Sequence, residues 1–168
     1  LSLRVTHVYA APEVEEPTTL MSSATTGEPA LANEPALRVL VYSDNRSTRD
    51  QVRLALGSRP HPDLPEVDLV EVATRPHVFR ELDTGTIDVA ILDGEAAPAG
   101  GLGVCRTIKD EIFNAPPTLV LVGRPQDGWL ATWSRAEAVV SHPLDPVAVA
   151  RATADLMRQR LGLAPAAS

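Results

Sequence analysis

The chain is nearly without cysteine, lysine and aromatic residues. Cys105 is the single cysteine in 168 residues, which excludes a disulfide framework and a cysteine zinc site and suits a reducing compartment. Lys109 is the single lysine beside 14 arginines, and aromatics make up only 4%. No run approaches the roughly 18 consecutive apolar residues of a membrane helix, so no direct membrane insertion is expected. Positive charge is not in excess either. The net charge of −7 argues against a nucleic-acid partner, because that work starts from a basic patch. What the chain does have is 44% hydrophobic residues, an ordinary supply for one buried core at this length.

The first 36 residues contain Pro12, Pro17, Pro29 and Pro35 and five glutamates against Arg4. They show no sustained period and cannot bury enough apolar surface to offset the entropy of ordering. Residues 1–36 are therefore expected to be a flexible acidic tail, 37–163 the folded domain, and 164–168 a short C-terminal end. The tail lacks the order of a signal peptide. It opens on Leu1, and Met21 could open a shorter protein, so the start of translation is left open. A tail that orders on a partner is the alternative to an uninvolved end.

From Leu37 the pattern alternates between apolar runs and helical stretches. Strands are predicted at Leu37–Tyr42, Val67–Ala73, Ile87–Leu92, Thr118–Val122 and Ala138–Ser141. Between them lie helices from Arg46 to Leu56, capped by Gly57; from Thr74-Arg75-Pro76 to about Gly85; and along the face Leu102, Cys105, Ile108 and Ile112. Another helix carries Trp129 and Trp133. The last starts at Asp145-Pro146 and runs to about Leu161. Such apolar strands, each followed by a helix, predict an α/β fold: a five-stranded parallel sheet with helices on both faces, the (βα)5 flavodoxin-like arrangement.

Ligands of such sheets sit at the carboxyl ends of the strands. There the sequence puts Ser43-Asp44, Asp93, Val122-Gly123 and Ser141-His142-Pro143. Two carboxylates, a hydroxyl and an imidazole make a candidate site for a hard cation such as Mg²⁺ and a phosphoryl group. The plain alternative is that Asp44 and Asp93 cap the segments that follow them.

The order Arg38-Val-Leu-Val-Tyr-Ser-Asp-Asn45, then Asp88-Val-Ala-Ile-Leu-Asp93, then Gly101-Leu102, Ile108 and His142-Pro143 resembles the receiver domain of two-component response regulators, whose fold is CheY-like. The resemblance covers Leu37 to about Leu161. It implies that Asp93 matches the phosphoacceptor and Asp44 one of two acids that hold Mg²⁺. It also implies several departures. Ser43 replaces the other acid. The phosphate-sensing hydroxyl falls on Gly123 or Val122, the lysine has become His142, and the coupling aromatic is Val139. The proline expected four residues after Asp93 stands five after it, as Pro98, with Ala97 in its place.

Phosphoryl transfer depends mainly on positioning and electrostatic stabilisation. Losing a carboxylate weakens the hold on Mg²⁺, and an imidazole replaces a fixed cation opposite the phosphoryl group. The expectation is an atypical receiver, a pseudo-receiver, with Asp93 phosphorylated weakly or not at all and Asp44 and Asp93 a weak or lost Mg²⁺ site. Lys109, on the third helix, cannot serve as the missing lysine. The alternative is a working phosphorelay receiver, charged on Asp93 by a histidine kinase or a small phosphodonor.

Ser43, Asp93 and His142 do not make a hydrolase, for no Gly-x-Ser-x-Gly elbow is present. His61 and His77 lack metal-ligand spacing and read as exposed residues. Trp129 and Trp133 share a helix face; at least one should pack on the sheet, with partner binding through the pair as the functional alternative. Arg151, Arg158 and Arg160 read as a solvated face, and the glycines 94, 100, 101 and 103 match no phosphate loop. No output domain is expected after the fifth helix, and a non-enzymatic, protein-binding role is the expectation. The Arg-rich, Lys-poor composition suggests an actinobacterial source. In that setting the chain resembles orphan receiver-like proteins linked to respiratory complex I, the proton-pumping NADH:quinone oxidoreductase. That resemblance implies a partner in the peripheral, cytoplasmic arm of the complex and a cytoplasmic place, membrane-associated only through it.

Overall fold

The computed structural model describes residues 33–164. Residues 1–32 of the expected tail and 165–168 lie outside them. The described chain builds one all-parallel sheet from β1 (Leu37–Tyr42), β2 (Val67–Val72), β3 (Val89–Asp93), β4 (Thr118–Val122) and β5 (Ala138–Ser141). Its order is β2-β1-β3-β4-β5, the doubly wound arrangement predicted. The connections are α1 (Arg46–Leu56), α2 (Arg75–Asp83), α3 (Gly101–Glu111) and the short α4 (Trp129–Ser134), with α5 (Pro146–Leu161) closing the fold.

Successive strand residues point to opposite faces, and each face has its own core. Val39, Val41, Val89, Ile91, Leu119 and Leu121 meet Val52 and Leu56 of α1 and Val149 and Met157 of α5. On the other face, Leu40, Tyr42, Ala90, Leu92 and Val120 meet α2 and α3 through Val78, Leu82, Val104, Cys105 and Ile108. All residues of β3 and β4 are buried, which is why both read as unbroken apolar runs; the edge strands β2 and β5 are partly exposed.

Several boundaries differ from the sequence reading. β3 starts two residues late and includes Asp93, because Asp93 is in register with Leu121 of β4. Ile87 is buried ahead of the ladder. At α1 the N-cap is Asn45, whose side chain accepts the Ser47 N–H at 2.9 Å, so Asp44 does not cap. Asp145 does cap α5, accepting from Val147 N at 3.1 Å. The Thr74 hydroxyl makes no cap bond and pairs instead with His77 Nδ1 at 2.9 Å. Arg158 is buried, contrary to the solvated face expected for the α5 arginines: its stem packs inward while the guanidinium reaches Asp155 at 3.1 Å.

Lys109 has a structural post at the amino end of the sheet. Its ammonium donates to both Glu137 carboxylate oxygens, at 2.7 and 2.9 Å, and to the Pro116 carbonyl at 2.8 Å. Glu137 in turn accepts the Thr118 N–H at 2.6 Å. One buried cation thus ties α3 to the starts of β4 and β5.

Candidate functional site

At the opposite, carboxyl end of the sheet, four expected positions converge. Asp44, Asp93, Gly123 and His142 line a pocket of about 520 Å³ together with Asn45, Thr48, Gln51 and Glu95. Each of the four lies at a strand end or within two residues after it, so the strand order itself gathers residues far apart in sequence.

Asp93 is 2% exposed. A buried carboxylate needs partners for its oxygens, and it has two. Ser43 Oγ donates to Oδ2 at 2.7 Å, and the Glu95 N–H donates to Oδ1 at 3.0 Å. The same Ser43 oxygen accepts the Asn45 N–H at 3.0 Å. Ser43 therefore works as a neutral donor where the resemblance implies a second acid. His142 Nε2 stands 3.8 Å from Asp93 Oδ1, beyond hydrogen-bond reach, and is buried without a partner. Ser43 thus bonds Asp93 directly and not through an imidazole, which rules out a hydrolase relay.

The loop after β3 is pinned from two sides. Tyr42 donates its hydroxyl to the Ala99 carbonyl at 2.6 Å; burial first, and then the charges of Asp44 and Asp93, push its pKa upward. Gly101 opens α3 in close approach to the end of β3, where an added β-carbon would come within 2.6 Å of the Asp93 carbonyl oxygen. A glycine is required there by contact alone.

Of the two positions open for the phosphate-sensing hydroxyl, Gly123 lines the pocket, whereas Val122 packs in the core. Val139 lies apart from the pocket on edge strand β5, 40% exposed. Trp129 and Trp133 are 67% and 50% exposed. Neither is packed on the sheet, since the six-residue α4 turns Ala131 and Ser134 inward; the Arg106 guanidinium lies 5.9 Å from the Trp133 ring. Glu95, Tyr42 and Thr48 were not singled out from sequence. Glu95 sits in an aperiodic loop, and only its spacing of two from Asp93 could have drawn notice.

The donors around Asp93 are hard oxygen ligands of the kind Mg²⁺ takes, one or two carboxylates with water completing the shell. Asp93 and Asp44 are the residues that would hold it. Among the described residues no three His, Cys, Asp or Glu side chains are grouped to hold a metal ion.

No protein-family profile matches the chain. Two curated relatives do, both described as uncharacterised response regulatory proteins, from two strains of Mycobacterium tuberculosis. Each is 59% identical over 123 residues, covering 73% of this chain and 92% of the relative. Among solved structures, the chemotaxis response regulator CheY4 of Vibrio cholerae is 18% identical with a TM-score of 0.59, covering 73% of this chain and 99% of its own. The signal receiver domain of NarL from M. tuberculosis is 19% identical with a TM-score of 0.62, covering 74% and 98%. These structures share the fold, and the mycobacterial sequences carry the kinship further. With a five-stranded receiver sheet and an acidic residue buried at the end of β3, the chain belongs to the response-regulator receiver family.

Proposed function

We propose that the protein is an atypical receiver that acts as a non-catalytic protein-binding module and not as a phosphate-driven switch. Receiver domains are signalling modules that typically bind Mg²⁺ at the phosphorylation site and act through other proteins. The observation that carries the reading is the bonding of Asp93: one oxygen is held by the neutral Ser43 hydroxyl, and the nearest nitrogen opposite, His142 Nε2, stays out of contact at 3.8 Å. A phosphoryl group there would meet neither a lysine nor a sensing hydroxyl. When bound, Mg²⁺ would offset part of the negative charge; the chain's own groups supply only Asp93 as acceptor and Ser43 to orient it. Phosphorylation at Asp93 is accordingly weak or absent.

The docking face in this proposal is α4, through Trp129 and Trp133, beside the exposed β5 residue Val139. Large exposed aromatics of this kind make interface anchors. The partner is the peripheral arm of respiratory complex I, which places the protein in the cytoplasm and at the membrane only through that complex. The mycobacterial origin of the relatives agrees with the actinobacterial setting of this resemblance. Affinity purification with the intact chain should recover the complex, and Trp129→Ala with Trp133→Ala should lose it. Recovery that is indifferent to both tryptophans would remove them from the interface.

A second reading, a phosphorelay receiver served by a histidine kinase, is favoured by one fact: Asp93 is kept, buried and oriented. Acetyl phosphate and Mg²⁺ followed by intact-mass measurement separate the two. A stoichiometric phosphoryl adduct, lost in Asp93→Asn, would establish the second reading.

A further inference from the structure

One contact in the pocket is not accounted for by membership of the family. Glu95 follows Asp93 by two residues, and its N–H donates to Asp93 Oδ1 at 3.0 Å. Its side chain crosses to the end of β4 and lies against Gly123. A β-carbon at Gly123 would stand 2.7 Å from Glu95 Oε1, 2.9 Å from Cδ and 3.2 Å from Oε2. The carboxylate therefore fills the volume that any side chain at position 123 would take, beside the acceptor and in the same pocket.

Its charge matters as much as its bulk. Asp44, Asp93 and Glu95 line that pocket with His142. The adjacent Arg124 is already engaged by Asp127, at 3.1 and 3.2 Å, and is largely exposed. An arriving phosphoryl dianion would meet the like charge of the exposed Asp44 and Glu95 carboxylates beside the buried Asp93.

We propose that Glu95 is the residue that closes Asp93 to phosphoryl groups: its carboxylate, seated over Gly123, holds the place such a group would need. Glu95 and Gly123 are then a matched pair, the glycine leaving the space and the glutamate filling it. This rests on the reading of Asp93 as a silent acceptor and adds a second cause to the missing lysine and hydroxyl.

The test uses the full chain with acetyl phosphate and Mg²⁺, following intact mass over time. In the step sought, an Asp93 carboxylate oxygen attacks phosphorus. A new P–O bond forms, the bond from phosphorus to the acetyl oxygen breaks, and acetate leaves with the electron pair. Glu95→Ala removes the obstruction. Gly123→Ala displaces it by another route, because only the flexible end of a side chain stands where the new β-carbon goes. The wild-type chain should stay unlabelled, while each variant gains at least about tenfold in labelling rate, abolished by adding Asp93→Asn. Glu95→Gln, keeping shape without charge, should fall between. Circular dichroism and melting verify that each variant is folded. If both alanine variants stay as unlabelled as the wild type, or if Glu95→Ala lowers a measurable rate, Glu95 is not the closing residue, although the silent-acceptor reading survives. Stoichiometric labelling of the wild type would overturn both.

Discussion

The two ends of the sheet use charge in opposite ways. At the amino end, Lys109 is 8% exposed and makes three hydrogen bonds, and its partner Glu137 also takes a backbone N–H. At the carboxyl end, Asp93 is as deeply buried but is held by neutral donors, and His142 Nε2 is buried without a hydrogen-bond partner, 3.8 Å from Asp93 Oδ1. The only ammonium side chain in the sequence thus serves the fold and not the chemistry. At the carboxyl end, the side-chain nitrogen that approaches Asp93 is that of the His142 imidazole.

The comparison can be broken most forcefully at the amino end. Lys109→Met should cost about 2–4 kcal/mol in urea unfolding, since it strands the Glu137 carboxylate that also caps β4; the partial exposure of Glu137 keeps the loss below that of a fully buried pair. A loss under about 0.5 kcal/mol would show that the clamp is ornamental.

A smaller effect is expected midway between the ends. Burial pushes the Cys105 thiol up to about 11 from the ordinary 9.0, and the thiol donates a hydrogen bond to the Ser134 carbonyl at 3.3 Å. The folded state thus keeps this proton longer than the unfolded chain. Its contribution is full below about pH 9 and is lost as pH rises through about 11, on the order of 1 kcal/mol by pH 10. Cys105→Ala should flatten that part of the stability–pH curve, and a thiol that alkylates readily at pH 8 would contradict the buried setting.

At the carboxyl end, Ser43→Ala removes one neutral donor from Asp93 and should cost about 1 kcal/mol in the same unfolding assay. Asp93→Asn in that background should recover part of it, because the uncharged amide tolerates the missing donor. Full additivity of the two changes would deny the coupling that a 2.7 Å contact implies. Smallest of all, Trp129→Ala and Trp133→Ala should move stability by no more than about 0.5 kcal/mol each, so any lost binding would be read as interface and not as unfolding.

Much of the fold was legible because strands buried on both faces leave no choice but apolar residues. Thr118–Val122 and Ala138–Ser141 match their strands residue for residue, and Asp145-Pro146 marks the start of α5. The reading slipped where backbone pairing outruns hydrophobicity. Asp93 belongs to β3 by register though it is charged. The convergence of Ser43, Asp44, Asp93, Gly123 and His142 followed from strand ends alone. Glu95 did not, because a loop side chain is aimed by tertiary contacts and leaves no period. The tryptophans show a related limit: a spacing of four places both on one face of a helix but does not say whether that face looks in or out.

The engagement of Lys109 also decides how this protein can be handled. With the single lysine side chain enclosed and bonded on three sides, amine-directed dyes and cross-linkers find no reactive side chain among the described residues. Covalent capture of a partner has to go through carboxylates, of which Asp44 and others stand open at the surface. A carbodiimide would couple them to a partner's lysines, whereas this chain's own Lys109 is enclosed and already paired.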